Sequence, residues 1–197
     1  MSLISHSYTV MVYVVNSKVA MDEIVSKDGA TKEVSECRNS ISIIADCELA
    51  RDIYLNSNFG IKYLFTYQAA QDAFFTDNTV KQQIISDNIM VIVNDNDLLA
   101  QLYNDSIVAS VIAENSTALS TIAGDDTKLN IVMSNATIMN AIYNNATYVN
   151  AISTNAFVML IEDSTNLSRI IAKTPSLNKL KSANEDTVVL PAVLSYT

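Results

Sequence analysis

From Asn115 to Thr154 the chain follows a plan of ten residues, and that period limits what it can fold into. The segments Asn115-Ser-Thr-Ala-Leu-Ser-Thr-Ile-Ala-Gly, Asn135-Ala-Thr-Ile-Met-Asn-Ala-Ile-Tyr-Asn and Asn145-Ala-Thr-Tyr-Val-Asn-Ala-Ile-Ser-Thr are versions of one unit. An Asn or Ser opens each unit, apolar residues follow, and an Asn, Asp or Ser closes it. Counted from Asn145, the apolar residues are Tyr148, Val149, Ala151 and Ile152; from Asn135 they are Ile138, Met139, Ala141 and Ile142; from Asp105 they are Val108, Ala109, Val111 and Ile112. Positions +3, +4, +6 and +7 make a stripe on a helix, not the alternation of a strand. Each helix would be about eight residues, or roughly 12 Å long. A helix that short is unstable alone, because nucleation is costly and few hydrogen bonds repay it. Stability must therefore come from stacking each stripe on neighbouring units, which predicts a mainly α chain: a stack or solenoid of short helices.

The same unit continues more loosely across the body, residues 16–181, with caps expected near Asn16, Asp28, Asn39, Asp46, Asn58, Asp77, Asp87, Asp95, Asp105, Asn115, Asp126, Asn135, Asn145, Asn155, Ser164 and Thr174. Pro175 after Thr174 reads as the first residue of a helix, where a missing N–H sacrifices no bond. Twenty Asn and only three Gly imply that corners are turned by side chains that hydrogen-bond the backbone rather than by glycine. A rival reading is a pentapeptide β-helix, because Asn-Ala recurs every five residues from Asn135 to Asn155. That fold wants a small residue before the Asn, and the five-residue signal fades outside this window.

Flanking segments differ in character. Residues 1–15 contain Tyr8-Thr-Val-Met-Val-Tyr-Val-Val, apolar on both parities, which reads as a doubly buried strand or a first helix. Residues 182–197 contain Val188-Val-Leu-Pro-Ala-Val-Leu, where Pro191 disfavours a helix interior or a central strand. Both ends are assigned here as extended or β-like, suited to pairing with each other or with another chain.

Charge and chemistry narrow the function. A net charge of −9 disfavours direct nucleic-acid binding, which requires cations to displace counterions. From Gln82 to Ser168 nine acids face a single base, Lys128, before Arg169, Lys173, Lys179 and Lys181 restore some positive charge. This reads as a solvated acidic face, or as a field that selects a basic partner. Seven apolar residues, Thr9 to Val15, cannot span a bilayer, so neither a membrane anchor nor a signal peptide is expected. Cys37 and Cys47 stand one unit apart and read as two buried thiols rather than a disulfide. His6 has no ligand-spaced companion. Asp95, Asp97 and Asp105 lie among Asn94, Asn96 and Asn104, but the stretch lacks the Gly and terminal Glu of a calcium loop and reads as caps. The isolated Gly29, Gly60 and Gly124 form no phosphate loop. No His–carboxylate pair is available to activate a Ser or Thr. The expectation is a non-enzyme with no catalytic, cofactor-binding or metal site. Five Asn-x-Ser/Thr triplets, at Asn104, Asn115, Asn135, Asn145 and Asn166, are best explained by the joints themselves. Six aromatics, Tyr54, Tyr63, Phe65, Tyr67, Phe74 and Phe75, read as a packed core or as an interface patch.

The units at Asn115 and Asn145 resemble the Asn-Ser-x-Thr-Ala-Met-x-Ala-Ile/Val-Ala repeats of tailed-bacteriophage virion proteins, often tail, tail-fibre or head-associated components. The likeness covers Asn115 to about Ala172 well and the earlier body weakly; the middle of the chain replaces Ala by Tyr, Phe and large aliphatics. It implies a structural virion protein, assembled in the host cytoplasm, that forms homo-oligomers and contacts other virion proteins. No functional residue carries over, because the repeat is a packing motif. The alternative is a repeat-type adaptor that recognises a host protein or glycan.

Overall fold

The computed structural model describes residues 7–183. Seventeen helices follow one another: α1 (Tyr8–Val15), α2 (Lys18–Val25), α3 (Asp28–Glu36), α4 (Arg38–Asp46), α5 (Glu48–Leu55), α6 (Asn58–Thr66), α7 (Gln68–Phe74), α8 (Asn78–Asn94), α9 (Asn96–Leu102), α10 (Ser106–Glu114), α11 (Ser116–Ala123), α12 (Asp126–Val132), α13 (Ala136–Tyr143), α14 (Ala146–Ala151), α15 (Thr154–Glu162), α16 (Ser164–Ile171) and α17 (Thr174–Ala183). The mainly α stack of short helices stands, and no strand occurs among the described residues. Two compact units divide the chain, residues 1–92 and residues 93–197, with the boundary inside α8.

In both units consecutive helices pack together, and many helices also pack against the one three places on. The pairs α1·α4, α2·α5, α3·α6 and α4·α7 build the first unit; α9·α12, α10·α13, α11·α14, α12·α15, α13·α16 and α14·α17 build the second. Three helices therefore complete one turn of a solenoid, and a helix meets its counterpart in the next turn.

The corners explain the composition. Single residues in extended conformation link many helices: Asn115 (φ −97°, ψ 108°) ends α10 and opens α11, and Asp163, Cys37, Cys47 and Tyr67 do the same elsewhere. No described residue has positive φ, so no corner requires glycine. Side chains supply the missing acceptors. Asn115 Oδ1 accepts from Ala118 N at 2.9 Å, Asp105 Oδ1 from Ile107 N and Val108 N, and Ser153 Oγ from Ala156 N.

Some corner residues do a second job, tying one turn to the next. Asn135 accepts from Ile138 N at 3.1 Å while its Nδ2 donates to Tyr103 O at 2.7 Å, 32 residues back. Ser57 accepts from Gly60 N and donates to Val25 O at 2.9 Å. Cys47 Sγ donates to Val15 O at 3.4 Å. Corner thus lies over corner, and the carbonyls left open at a helix end find donors in the next turn. An amide or hydroxyl can accept and donate at once; a carboxylate only accepts. Asn135→Asp should therefore keep its cap but lose the tie, costing about 1–2 kcal/mol. Asn145→Asp, where only Thr147 N is bonded, should be near neutral. Urea unfolding midpoints of the two variants measure the difference.

Several sequence-based assignments need correction. Tyr8–Val15 is helical, not extended: Ser7 caps it, and Met11 and Val15 supply a buried stripe, so it is the first described repeat of its unit. Residues 1–6 and 184–197, and with them His6 and the rest of the extended-end assignment, lie outside the described residues. The apolar stripe is +3, +4, +7 and +8 in the best-formed units. Ala118, Leu119, Ile122 and Ala123 are buried, as are Ile138, Met139, Ile142 and Tyr143. At 100° per residue those four positions share one arc, and +6 lies more than a quarter turn from its centre. Thr121, Ile131 and Ala141 are accordingly half-buried and Ala151 is exposed, although Val111 stays buried. Asp126, Asn155 and Ser164 stand just inside helices capped by Asp125, Ser153 and Asp163. Thr174 is itself the first helical residue, which places Pro175 second. Asp87 caps nothing: it lies within the seventeen-residue α8, where two short helices were expected.

Candidate functional site

That uninterrupted helix borders a concavity in the first unit. α7 ends at Phe74, Asp77 Oδ1 accepts from Thr79 N and Val80 N, and α8 then continues as one helix where the repeat would have turned. A groove of about 600 Å³ lies among the ends of α4 and α7, the side of α5 and the first turns of α8. Its floor is apolar, from Ala45, Leu55, Ala73, Phe74, Val80 and Ile84; Asp46, Arg51, Gln83 and Asp87 rim it. Gln83 Nε2 donates to Asp87 Oδ1 at 2.9 Å, and Arg51 Nε lies 3.9 Å from Asp52 in an exposed pair that constrains it little. An apolar floor with a charged rim suits the side chains of a peptide or helix better than a small polar substrate.

Beneath it sits the aromatic cluster. Tyr54, Tyr63, Phe65 and Phe74 are buried, while Tyr67 and Phe75 are half-buried. Tyr54 stacks on Phe74 at 5.1 Å and its hydroxyl meets Ser35 Oγ at 2.7 Å. Tyr63 stacks on Tyr67 at 5.7 Å and donates to Asp28 Oδ1 at 2.7 Å. These aromatics are core that stitches α3, α5, α6 and α7 together. Burial, and then the bond to Asp28, push the Tyr63 phenol up to about 12; burial and Glu36 raise Tyr67 as well. An unfolded tyrosine ionises near 10. Between pH 10 and 12 the unfolded chain has lost protons that the native state still holds, so stability present below pH 10 should fall as pH rises through that window. Tyr63→Phe should flatten the fall, as read from urea midpoints at pH 9 and pH 11.

The remaining candidates resolve into packing. Asp95 Oδ1 accepts from Asp97 N and Leu98 N, and Asn96 Oδ1 accepts from Lys128 Nζ at 2.8 Å. Asp95 and Asp105 are caps, and among the described residues no group of three or more His, Cys, Asp or Glu is placed to hold a metal ion. Cys37 and Cys47 are not joined in a disulfide; they are half-buried rather than fully buried, at equivalent corners of successive units. Of the five triplets, Asn115, Asn135 and Asn145 are caps, whereas Asn166 is buried and accepts from Tyr143 Oη at 3.2 Å. Lys128, the lone base of the acidic stretch, is buried against Asn96 and Asp125.

Lys179 was not visible as a structural residue in the sequence. Its ammonium donates to Val149 O at 2.8 Å and Ile152 O at 2.6 Å, and lies 5.1 Å from the centre of the Phe157 ring. Burial lowers its pKa. The end of α14 therefore receives a positive cap from α17, one turn later. The basic stretch is thereby partly consumed inside the stack, since Arg169 also turns toward Asn166. Only the separation of about three units, too long for local pattern reading, could have signalled it.

Each unit is a short-helix solenoid whose polar residues serve its corners. Comparison with known protein families finds no match, and comparison with curated proteins finds none.

Proposed function

We propose that the chain is a non-catalytic structural component of a tailed-bacteriophage virion, in the tail, a tail fibre or a head-associated position. It assembles in the host cytoplasm through contacts with other virion proteins and with further copies of itself. The observation that carries this reading is the use of the chain's polar residues. Asn, Asp, Ser and the single mid-chain base are engaged in capping and tying the solenoid, in a repeat whose sequence resembles those of virion proteins. A scaffold needs such internal order and an outer surface for partners. No helix among the described residues is long and apolar enough to cross a membrane, and the acidic balance disfavours a direct role on nucleic acid.

Mass spectrometry of density-gradient-purified particles from cells producing the phage tests the reading. The chain should band with particles at a fixed ratio to the major virion proteins. Its recovery only in the soluble fraction at the top of the gradient would contradict it. The apolar groove at α8 favours one other reading, the repeat-type adaptor, with a host protein rather than a glycan as its ligand. Such an adaptor would bind its ligand as a free soluble protein, and Val80→Glu in the groove should abolish binding.

A further inference from the structure

The geometry points to the outer face of α1 as a self-association surface, on which a second copy of this chain docks its own α1. α1, Tyr-Thr-Val-Met-Val-Tyr-Val-Val, contains no charged residue and one polar one. Met11 and Val15 serve the core, and the rest of the helix is left outside. Tyr8 is 69% exposed and Tyr13 76%, with Val10 and Val12 beside them and Val19, 80% exposed, just past the joint. These five lie within twelve residues, while the other exposed large apolar residues are scattered singly.

Charge and shape argue for a second copy as the occupant. A chain of net charge −9 repels itself over most of its surface, but α1 offers an uncharged approach. The helix is also self-complementary. In a two-fold, antiparallel crossing centred between Val10 and Met11, Tyr8 of one copy lies opposite Tyr13 of the other, and Thr9 opposite Val12. A tyrosine contributes about 150–250 Å² when fully buried, so Tyr8 and Tyr13, 69% and 76% exposed, together with Val10 and Val12 supply at most roughly 400 Å² per copy. The total of about 800 Å² lies below the roughly 1,200–2,000 Å² of stable interfaces and predicts a weak, rapidly reversible dimer.

This inference rests on the assembly role proposed above and fails separately from it. Sedimentation velocity of the full-length purified chain, over a dilution series, should show a monomer–dimer equilibrium. Tyr8→Glu combined with Tyr13→Glu should hold the chain at the monomer mass of 21.5 kDa with an unchanged helical spectrum and melting temperature. Ile171→Glu, at an exposed apolar residue of α16, should dimerise like the natural chain. A natural chain that stays monomeric at every concentration overturns the inference, as does a dimer that survives the double substitution. Either outcome leaves the particle measurement free to succeed, and a dimer in solution leaves it free to fail.

Discussion

Gly60→Ala is expected to destabilise the first unit by about 3 kcal/mol or more, the upper range for overpacking a core. Gly60 is buried in the first turn of α6, and a Cβ there would stand 2.0 Å from Tyr54 O and 2.9 Å from Tyr54 C. Both are backbone atoms at the end of α5, so no side chain can rotate out of the way. Relief requires α6 to lift from α5, which disturbs the Tyr54–Phe74 stack, the Tyr54–Ser35 bond and the Ser57 tie to Val25. The backbone is not the cause, since Gly60 has a φ open to any residue. Elsewhere alanine should be tolerated: nothing lies within 4 Å of a Cβ at Gly29. In the first turn of α3, where glycine loses more backbone freedom on folding than alanine, Gly29→Ala should stabilise slightly. Urea unfolding of the two variants measures the contrast, and an unchanged midpoint for Gly60→Ala would refute the close approach.

Tyr143→Ala should cost about 3–5 kcal/mol in the second unit, as expected for removing a large aromatic from a core. The side chain is fully buried at the +8 position of its unit, and its hydroxyl donates to Asn166 Oδ1 at 3.2 Å. Truncation leaves a cavity between α13 and α16 and takes a donor from a buried amide whose other partner, Arg169 Nη1, is 3.4 Å away. Tyr143→Phe separates the two contributions: it keeps the volume and should cost about 1 kcal/mol for the hydrogen bond. Hydrogen exchange should localise the loss to residues 93–197, just as that of Gly60→Ala should fall within residues 1–92. Equal effects of Ala and Phe at position 143 would show that packing contributes little there.

Much of this was legible in the sequence because the repeat writes its own local rules. The ten-residue period, the capping Asn, Asp and Ser residues and the apolar stripe lie within one unit, and local chemistry fixes them. The helix at Tyr8–Val15 was misread because its outer face is apolar too, which erases the periodicity that separates helix from strand. Asp87 looks like a cap by spacing, but Ile84, Ile85, Ile89, Ile92 and Val93 keep one buried stripe in helical period across it, and Ser86 and Asp87 stay on the exposed side of that helix. The groove follows from that missed corner, so it too was hidden. What no local pattern holds is the number of helices per turn. It appears only in pairs some thirty residues apart, such as Asn135 with Tyr103 and Lys179 with Val149. Asn166 was likewise taken for part of a joint, whereas its neighbour Asp163 does the capping and Asn166 faces Tyr143.

The central claim is that each helix stacks on the one three places later. Pairwise spin-label distances test it most directly, on cysteines placed at equivalent +5 positions in a chain whose Cys37 and Cys47 are replaced by serine. Ser110, Ser120 and Asn130 are exposed and Asn140 is partly so, one on each of α10, α11, α12 and α13. Packed helices lie 8–10 Å apart, so the labels at 110 and 140 should give the shortest distance of the set, near that spacing once label length is allowed for. The 110–120 and 110–130 pairs, on different sides of the solenoid, should be clearly longer. A shortest distance for 110–130 would instead mean a two-layer stack with alternating sides, and would contradict three helices per turn.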